Sequence, residues 1–243
     1  MTSFLDRYLQ GEYEQVWDEL YALGEEIQQE PLLNDANAVT IETMRRVRMN
    51  TERVTARLSA IGYTFGIYPD GRTRIYGYTQ PYRLPKASIA SEITEFEQLA
   101  GVGRLPLSLK FFWQIVGNID WMGYHPLWPK YSDPLVVYPI ETARIEYEDW
   151  CYDVDKEDVE AGSFRIPIAP DYYHKDNVSG GTPYSIFVPN AKIDAVLEYE
   201  RHQTTFVNYL RNCFLLGGFP GIKWHNGEVP RIMARLSEEL LSF

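Results

Sequence analysis

The sequence predicts an α+β fold in which a central antiparallel sheet is flanked by helices, with a helical hairpin at the N-terminus. Three observations lead to this prediction. Residues 12–61 place apolar side chains at helical spacing. Short apolar runs bounded by proline or glycine follow between residues 63 and 188, and such runs are typical of strands. Helical spacing then returns towards the C-terminus.

The N-terminal segment predicts two helices. The apolar positions of the first are Val16, Leu20, Leu23 and Ile27. Pro31 interrupts this pattern, and the second helix is expected to begin near Asp35, whose side chain can cap it, and to stop at Gly62. Because an isolated helical hairpin buries too little surface to be stable, we expect the pair to pack on the rest of the chain. The predicted organisation is a helical extension, residues 1–62, and an α+β domain, residues 63–243.

The arginines of the second helix allow two interpretations. They are Arg45, Arg46, Arg48, Arg53 and Arg57. They could form a basic patch for a phosphate or an acidic segment. Alternatively they lie on a solvated face, where Glu42 and Glu52 pair with Arg46 and Arg48 four residues away. The second interpretation is preferred because exposed pairs of this kind are common.

The remaining elements follow from turn residues and periodicity. Pro69-Asp70-Gly71 predicts the turn of a β-hairpin over residues 63–78. A proline-started helix closed by Gly117 is followed by a short strand ending at residues 121–123. Further helices are expected over Ser91–Leu99, Ile193–Cys213 and Glu228–Phe243, and strands over Leu135–Tyr138, Ile166–Ala169 and Tyr184–Val188.

Composition narrows the classes of function. The 243 residues carry a formal net charge of −11, which argues against binding a nucleic-acid backbone and permits a basic partner. The two cysteines, Cys151 and Cys213, have neither disulfide-framework nor zinc spacing, so a reducing compartment is expected. No secretory signal and no apolar run of about 20 residues is present. The sequence therefore predicts a cytoplasmic protein that does not bind membranes.

An acidic block lies between Glu141 and Glu160, with nine acidic and two basic residues. It also carries the aromatic residues Tyr147, Trp150 and Tyr152. Such a mixture is suited to a basic protein partner, because charges steer the encounter and aromatic side chains anchor it. A plain solvated surface is the alternative, and a calcium loop is disfavoured by its missing glycine. The candidate partner-binding residues are Glu146, Glu148, Asp149, Trp150, Asp153 and Asp155.

Known catalytic motifs do not occur in the sequence. It has no HExxH pattern, no serine-nucleophile elbow, no dinucleotide fingerprint and no phosphate loop. Of the four histidines, His125 is the strongest candidate for a functional role, because aromatic and acidic residues lie close to it in the loop of residues 120–133. It could also be a packed structural histidine, and we assign no catalytic residue, cofactor or metal. The candidate residues of this loop are Trp121, Tyr124, His125, Trp128 and Asp133.

One segment resembles a known family signature. The matching residues are Leu105-Pro106, Phe111-Phe112-Trp113, Val116-Gly117 and Trp121-Met122-Gly123. This pattern is similar to that of the SUKH superfamily, which includes fungal cell-wall-synthesis regulators and bacterial immunity proteins. Residues 133–139 resemble the next part of bacterial members. The resemblance implies an α+β fold with a central antiparallel sheet, a surface cleft, no catalytic residues to carry over, and the binding and neutralising of toxins, often nucleases.

These observations predict a non-enzymatic protein-binding module that neutralises a basic toxin such as a nuclease. The acidic block and the loop of residues 120–133 are the expected binding residues. The alternative is an enzyme or ligand-binding protein that acts on a small molecule and uses this loop, with His125 paired to Asp120 or Asp133.

Overall fold

The computed structural model describes residues 3–68, 70–74, 80–154, 163–228 and 230–243. Helices surround short antiparallel strands, which confirms the predicted α+β class and the N-terminal helices. Part of the predicted hairpin of residues 63–78 and the candidate residue Asp155 lie outside the described residues. Among the described residues of this segment, Ile67 and Thr73 form an antiparallel bridge.

In the described residues, the strands form three small antiparallel sheets, whereas the sequence predicts one central sheet. The strands are β1 (Thr64–Phe65), β2 (Tyr82–Arg83), β3 (Asn118–Asp120), β4 (Gly123–Tyr124), β5 (Val136–Val137), β6 (Phe164–Ala169) and β7 (Tyr184–Val188). In the described residues β1 pairs with β4, β3 lies between β2 and β5, and β6 pairs with β7. The N–H of Tyr138 donates to the carbonyl of Ile168 at 2.8 Å, which joins the end of β5 to β6.

The N-terminal helices are α1 (Phe4–Leu9), α2 (Tyr13–Ala22) and α3 (Leu32–Ala60), with a 3₁₀ turn at Gly24–Gln28. The prediction that Asp35 caps α3 is wrong, because α3 begins at Leu32, directly after Pro31. The Asp35 carboxylate instead accepts the N–H groups of Phe4 and Leu5 at 2.6 and 3.0 Å. Asp35 therefore caps α1, whose first N–H groups have no partner within their own helix.

Helix α3 is the longest element, with 29 residues, and it contributes one face to the core. A single cluster of buried apolar side chains extends from Tyr8 to Phe243 and includes this face. The division at residue 62 stays a prediction. Within the described part of the chain, no helix combines the length and the apolar character that crossing a bilayer requires.

The predicted helix Ser91–Leu99 corresponds to helix α4 (Ile89–Glu97). Helix α5 (Leu107–Phe111) continues as a π-helical turn, Phe112–Val116, and ends at Gly117. Gly117 has φ +98°, and a Cβ at this position would lie 2.2 Å from the carbonyl oxygen of Arg83. Only glycine satisfies both conditions. The chain can therefore turn tightly into β3, as the sequence predicts.

The predicted helix Ile193–Cys213 is wrong over its first part. Helix α8 spans only Phe206–Leu215, and residues 193–205 form a narrow antiparallel loop with a bridge between Val196 and Thr205. The Asp194 carboxylate accepts the N–H groups of Ala195 and Val207 and the hydroxyl of Ser108. These bonds give the backbone an alternative to a helix and satisfy the start of α8.

The predicted helix Glu228–Phe243 is also wrong. Helix α9 covers only Arg231–Ala234, and the tail from residue 235 to residue 243 runs along α3. The carbonyls of the tail accept hydrogen bonds from Arg46, Arg53 and Arg57. The expected pairs Glu42–Arg46 and Glu52–Arg48 are present at 2.9 and 3.0 Å. The arginine face of α3 thus binds this chain's own C-terminus as well as solvent.

Asn50 makes the most specific contact with the tail. Its side-chain amide donates to the carbonyl of Leu241 at 2.9 Å, and its oxygen accepts the N–H of Leu241 at 2.8 Å. We expect Asn50→Ala to lower the free energy of unfolding by about 1–3 kcal/mol, because the half-buried backbone N–H and carbonyl of Leu241 lose their partners. Chemical denaturation measures this loss.

Asn34→Ala is the matched control, since the exposed Asn34 amide bonds only the Glu30 side chain. Asn50→Asp should destabilise as well, because it sets a carboxylate against the Leu241 carbonyl. Equal unfolding free energies for Asn50→Ala and Asn34→Ala would show that this contact does not hold the tail.

Candidate functional site

The acidic block folds largely into helix α6 (Ile140–Asp153), which begins directly after Pro139. Within α6, the side chains of Ile140 and Ala143 are buried. The rings of Tyr147 and Trp150 pack on Phe164 of β6, with centroids 5.5 and 5.3 Å away. Packing on β6 fixes the orientation of α6, so its charged positions are held on the outer side.

The acidic groove lies between α6 and the strands β6 and β7. Its volume is about 580 Å³, and its lining residues are Glu146, Asp149, Trp150, Asp153, Ser163, Phe164, Arg165 and Phe187. The four residues from α6 lie at positions i, i+3, i+4 and i+7, which places them on one face of the helix. The structure thus brings together four of the candidate residues of the acidic block.

The acidic groove carries uncompensated negative charge. Among the described residues, Glu146, Asp149 and Asp153 form no ion pair, whereas Arg165 pairs with Glu198 at 3.2 Å. The guanidinium of Arg165 also stacks on Phe187, 4.5 Å from the ring centroid. Partial burial, and to a lesser degree the nearby Asp149 charge, raises the pKa of Glu146. The acids of α6 therefore share one face of the helix without an ion-pair partner in the described residues, and the guanidinium of Arg165, which also lines the groove, is paired with Glu198.

Sequence reasoning missed the opposite wall of this groove. Arg165 and Phe187 come from β6 and β7, which pair in register so that these two residues lie opposite each other. The strands were predicted, but nothing in a linear sequence indicates which helix they face. Glu148 is exposed on α6 yet does not line the groove.

The loop of residues 120–133 is mostly packed into the protein. Trp121 is fully buried, and its indole N–H donates to Thr55 at 2.9 Å. His125 is largely buried against Trp128, with ring centroids 4.6 Å apart, and its Nδ1 accepts the N–H of Leu127. Of the candidate residues here, Tyr124 is the one with an exposed side chain. The buried side chains are not accessible to a partner in this conformation.

Asp133 belongs to a buried polar cluster. Its carboxylate binds the Lys175 ammonium at 2.5 Å and accepts the Tyr184 hydroxyl at 3.0 Å. Both charged side chains are fully buried. Desolvation, together with the Asp133 charge, raises the pKa of Tyr184 well above its ordinary value. Asp133 thus joins three separate segments of the chain.

The expected pairing of His125 with Asp120 or Asp133 does not form. Asp120 binds the Arg74 guanidinium at 2.7 Å, and Asp133 binds Lys175. His174 contacts Asp171, which caps the short helix α7 (Tyr172–Lys175). In the part of the chain that the structure describes, no three His, Cys, Asp or Glu side chains are grouped to hold a metal ion.

A structural role for Asp133 predicts a large loss of stability on substitution. Asp133→Asn leaves the Lys175 ammonium buried without its carboxylate, and we expect it to lower the free energy of unfolding by about 3–5 kcal/mol. Lys175→Met should have a similar effect. The double variant should lose less than the sum of both, as measured by denaturant unfolding. A loss below about 1 kcal/mol for both single variants would contradict a buried pair.

The raised pKa of Glu146 predicts a measurable coupling in the acidic groove. Asp149→Asn removes a neighbouring like charge, so the pKa of Glu146 should fall, as followed by ¹³C NMR of its carboxyl carbon. Since the folded-state pKa is raised, the contribution of Glu146 to unfolding free energy falls as pH rises from its unfolded-state value through its folded-state value. Glu25→Gln, in the 3₁₀ turn Gly24–Gln28, should leave the titration of Glu146 unchanged. An unchanged titration in Asp149→Asn would contradict the coupling.

Comparisons of this chain with family models, curated proteins and solved structures found no match. The likeness to the SUKH superfamily therefore stays a prediction that rests on the residues of the signature segment.

Proposed function

We propose that this chain is a non-enzymatic protein-binding module whose acidic groove takes a basic partner protein. One observation carries the proposal. Glu146, Asp149 and Asp153 line a single concave surface beside Trp150, and no described residue forms an ion pair with them. Three unpaired carboxylates held together repel one another, and a cationic partner relieves that repulsion.

The groove combines long-range attraction with a place for close contact. The carboxylates steer a basic surface towards α6 at a rate that falls with ionic strength. Trp150 and Phe187 then offer ring surface to the aliphatic stems and cationic ends of Lys and Arg side chains. Because α6 is packed on β6 through aromatic rings, little ordering is needed on binding.

The resemblance to the SUKH superfamily supports a more specific version of this proposal. A nuclease binds a polyanion through a basic surface. An acidic groove would compete with nucleic acid for that surface and so neutralise such a toxin. We place this activity in the cytoplasm, because Cys151 and Cys213 are unpaired, as is usual in a reducing compartment.

The test compares two variants that change the net charge equally. The groove variant is Glu146→Gln/Asp149→Asn/Asp153→Asn. The control is Glu25→Gln/Glu26→Gln/Glu30→Gln, which neutralises exposed acids outside the groove. The tagged proteins are incubated with native lysate at low and moderate salt, and the retained proteins are quantified by mass spectrometry.

We expect the wild type and the control to retain the same basic protein, with retention weakened by salt. The groove variant should bind that protein about ten-fold or more weakly, because three charge pairs are lost. Equal retention by all three proteins would show that the groove is not the binding surface. Retention of no basic protein by the wild type would contradict the proposed partner.

A further inference from the structure

A second concave surface, the basic cleft, shares no lining residue with the acidic groove. Its volume is about 560 Å³, and its charged and aromatic lining residues are Lys130, Tyr131, Tyr172, Tyr173, Arg201, Trp224 and His225. Among the described residues that line it, none is acidic. In a chain of net charge −11, a cleft lined by cations reverses the sign of the local surface.

Arg201 is the central cation of this cleft. Its guanidinium carbon lies 4.0 Å from the ring centroid of Trp224 and 4.3 Å from that of Tyr172. Among the described residues it makes no hydrogen bond and no ion pair, whereas Arg74 and Arg165 are each bound to a carboxylate. Stacking occupies the faces of a guanidinium and leaves the N–H donors at its edge available. The rings of Trp224 and Tyr172 thus orient the Arg201 side chain, and no described carboxylate neutralises its charge.

The surroundings of Arg201 are built to hold it in place. Trp224 also packs on the ring of His202, at 4.5 Å, and His202 is bonded to the buried Glu200 at 2.6 Å. Lys130 supplies a second cation without an ion-pair partner in the described residues. The nearby Asp176 uses a carboxylate oxygen to accept the N–H of Tyr131 at 2.6 Å.

The cleft also offers ring surface. Tyr131 and Tyr173 are 38% and 37% exposed, and their rings meet edge to face at 5.8 Å. Neither ring is covered by Arg201. An anionic group can therefore reach Arg201 and Lys130 while a planar group lies against these tyrosines.

We propose that the basic cleft binds a small organic anion that carries a planar ring, of the class represented by nucleoside monophosphates. The guanidinium and ammonium bind the anion, and the tyrosine rings bind the planar group. A long polyanion is disfavoured by the net charge of the protein. This site is independent of the acidic groove and of the function proposed for it.

Isothermal titration calorimetry at low salt tests the proposal with defined probes. Adenosine monophosphate and phenyl phosphate carry both the ring and the charge, adenosine carries only the ring, and inorganic phosphate carries only the charge. We expect at least one of the first two to bind about ten-fold or more tightly than either half. Arg201→Gln should weaken that binding about ten-fold or more, because the bidentate donor is lost.

Two further variants separate binding from folding. Arg235→Gln removes an exposed arginine elsewhere and should leave binding unchanged. Lys130→Gln touches no ring contact of Arg201 and should weaken binding several-fold with the same melting temperature. The proposal is overturned if neither ring-bearing phosphate binds, if phosphate alone binds as tightly as they do, or if binding persists unchanged in folded Arg201→Gln and Lys130→Gln.

Discussion

A carboxylate taken into the protein interior must find hydrogen-bond donors, because desolvation without partners is strongly unfavourable. In this structure, buried carboxylates that meet this requirement hold segments with little regular secondary structure. Asp133 ties its loop to Lys175 and Tyr184, and Asp194 ties residues 193–205 to Ser108 and to the start of α8. Desolvation raises the pKa of Asp194, which is the signature of the same burial. The loop of Asp133 and residues 193–205 contain little helix or strand. The two buried carboxylates therefore hold these segments to the rest of the protein.

The acidic residues of this chain therefore have two kinds of environment. Inside, the carboxylates of Asp133 and Asp194 are hydrogen-bonded and join distant segments, and the half-buried Asp35 does the same by capping α1. On α6 the carboxylates of Glu146, Asp149 and Asp153 face outwards into the acidic groove, where they form no ion pair among the described residues. The same side-chain chemistry stabilises the fold in one place and, in our proposal, binds a partner in the other. What separates the two is whether donors from the same chain reach the carboxylate.

The two concave surfaces have opposite charge and different construction. The acidic groove is formed between a helix and a strand pair, and its rings lie beside unpaired acids. The basic cleft is formed by loops and short helices, and its central cation is stacked between rings. Surface charges that are not paired within the protein are available to bind an external charge. In our proposals, the acidic groove binds a cationic macromolecule and the basic cleft binds a small anion.

The sequence by itself determined the elements whose signals are local. Pro106 and Gly117 bracket the helical segment before β3, and Ile166–Ala169 and Tyr184–Val188 lie within strands, because turn residues and short periodicities act over a few positions. Tertiary structure decided the rest. Residues 193–205 and the C-terminal tail have helical spacing, but Asp194 and the arginines of α3 bind their backbone in other conformations. The strand wall of the acidic groove, the burial of Trp121 and Asp133, and the basic cleft all join residues far apart in the chain, and no local pattern encodes contacts of that kind.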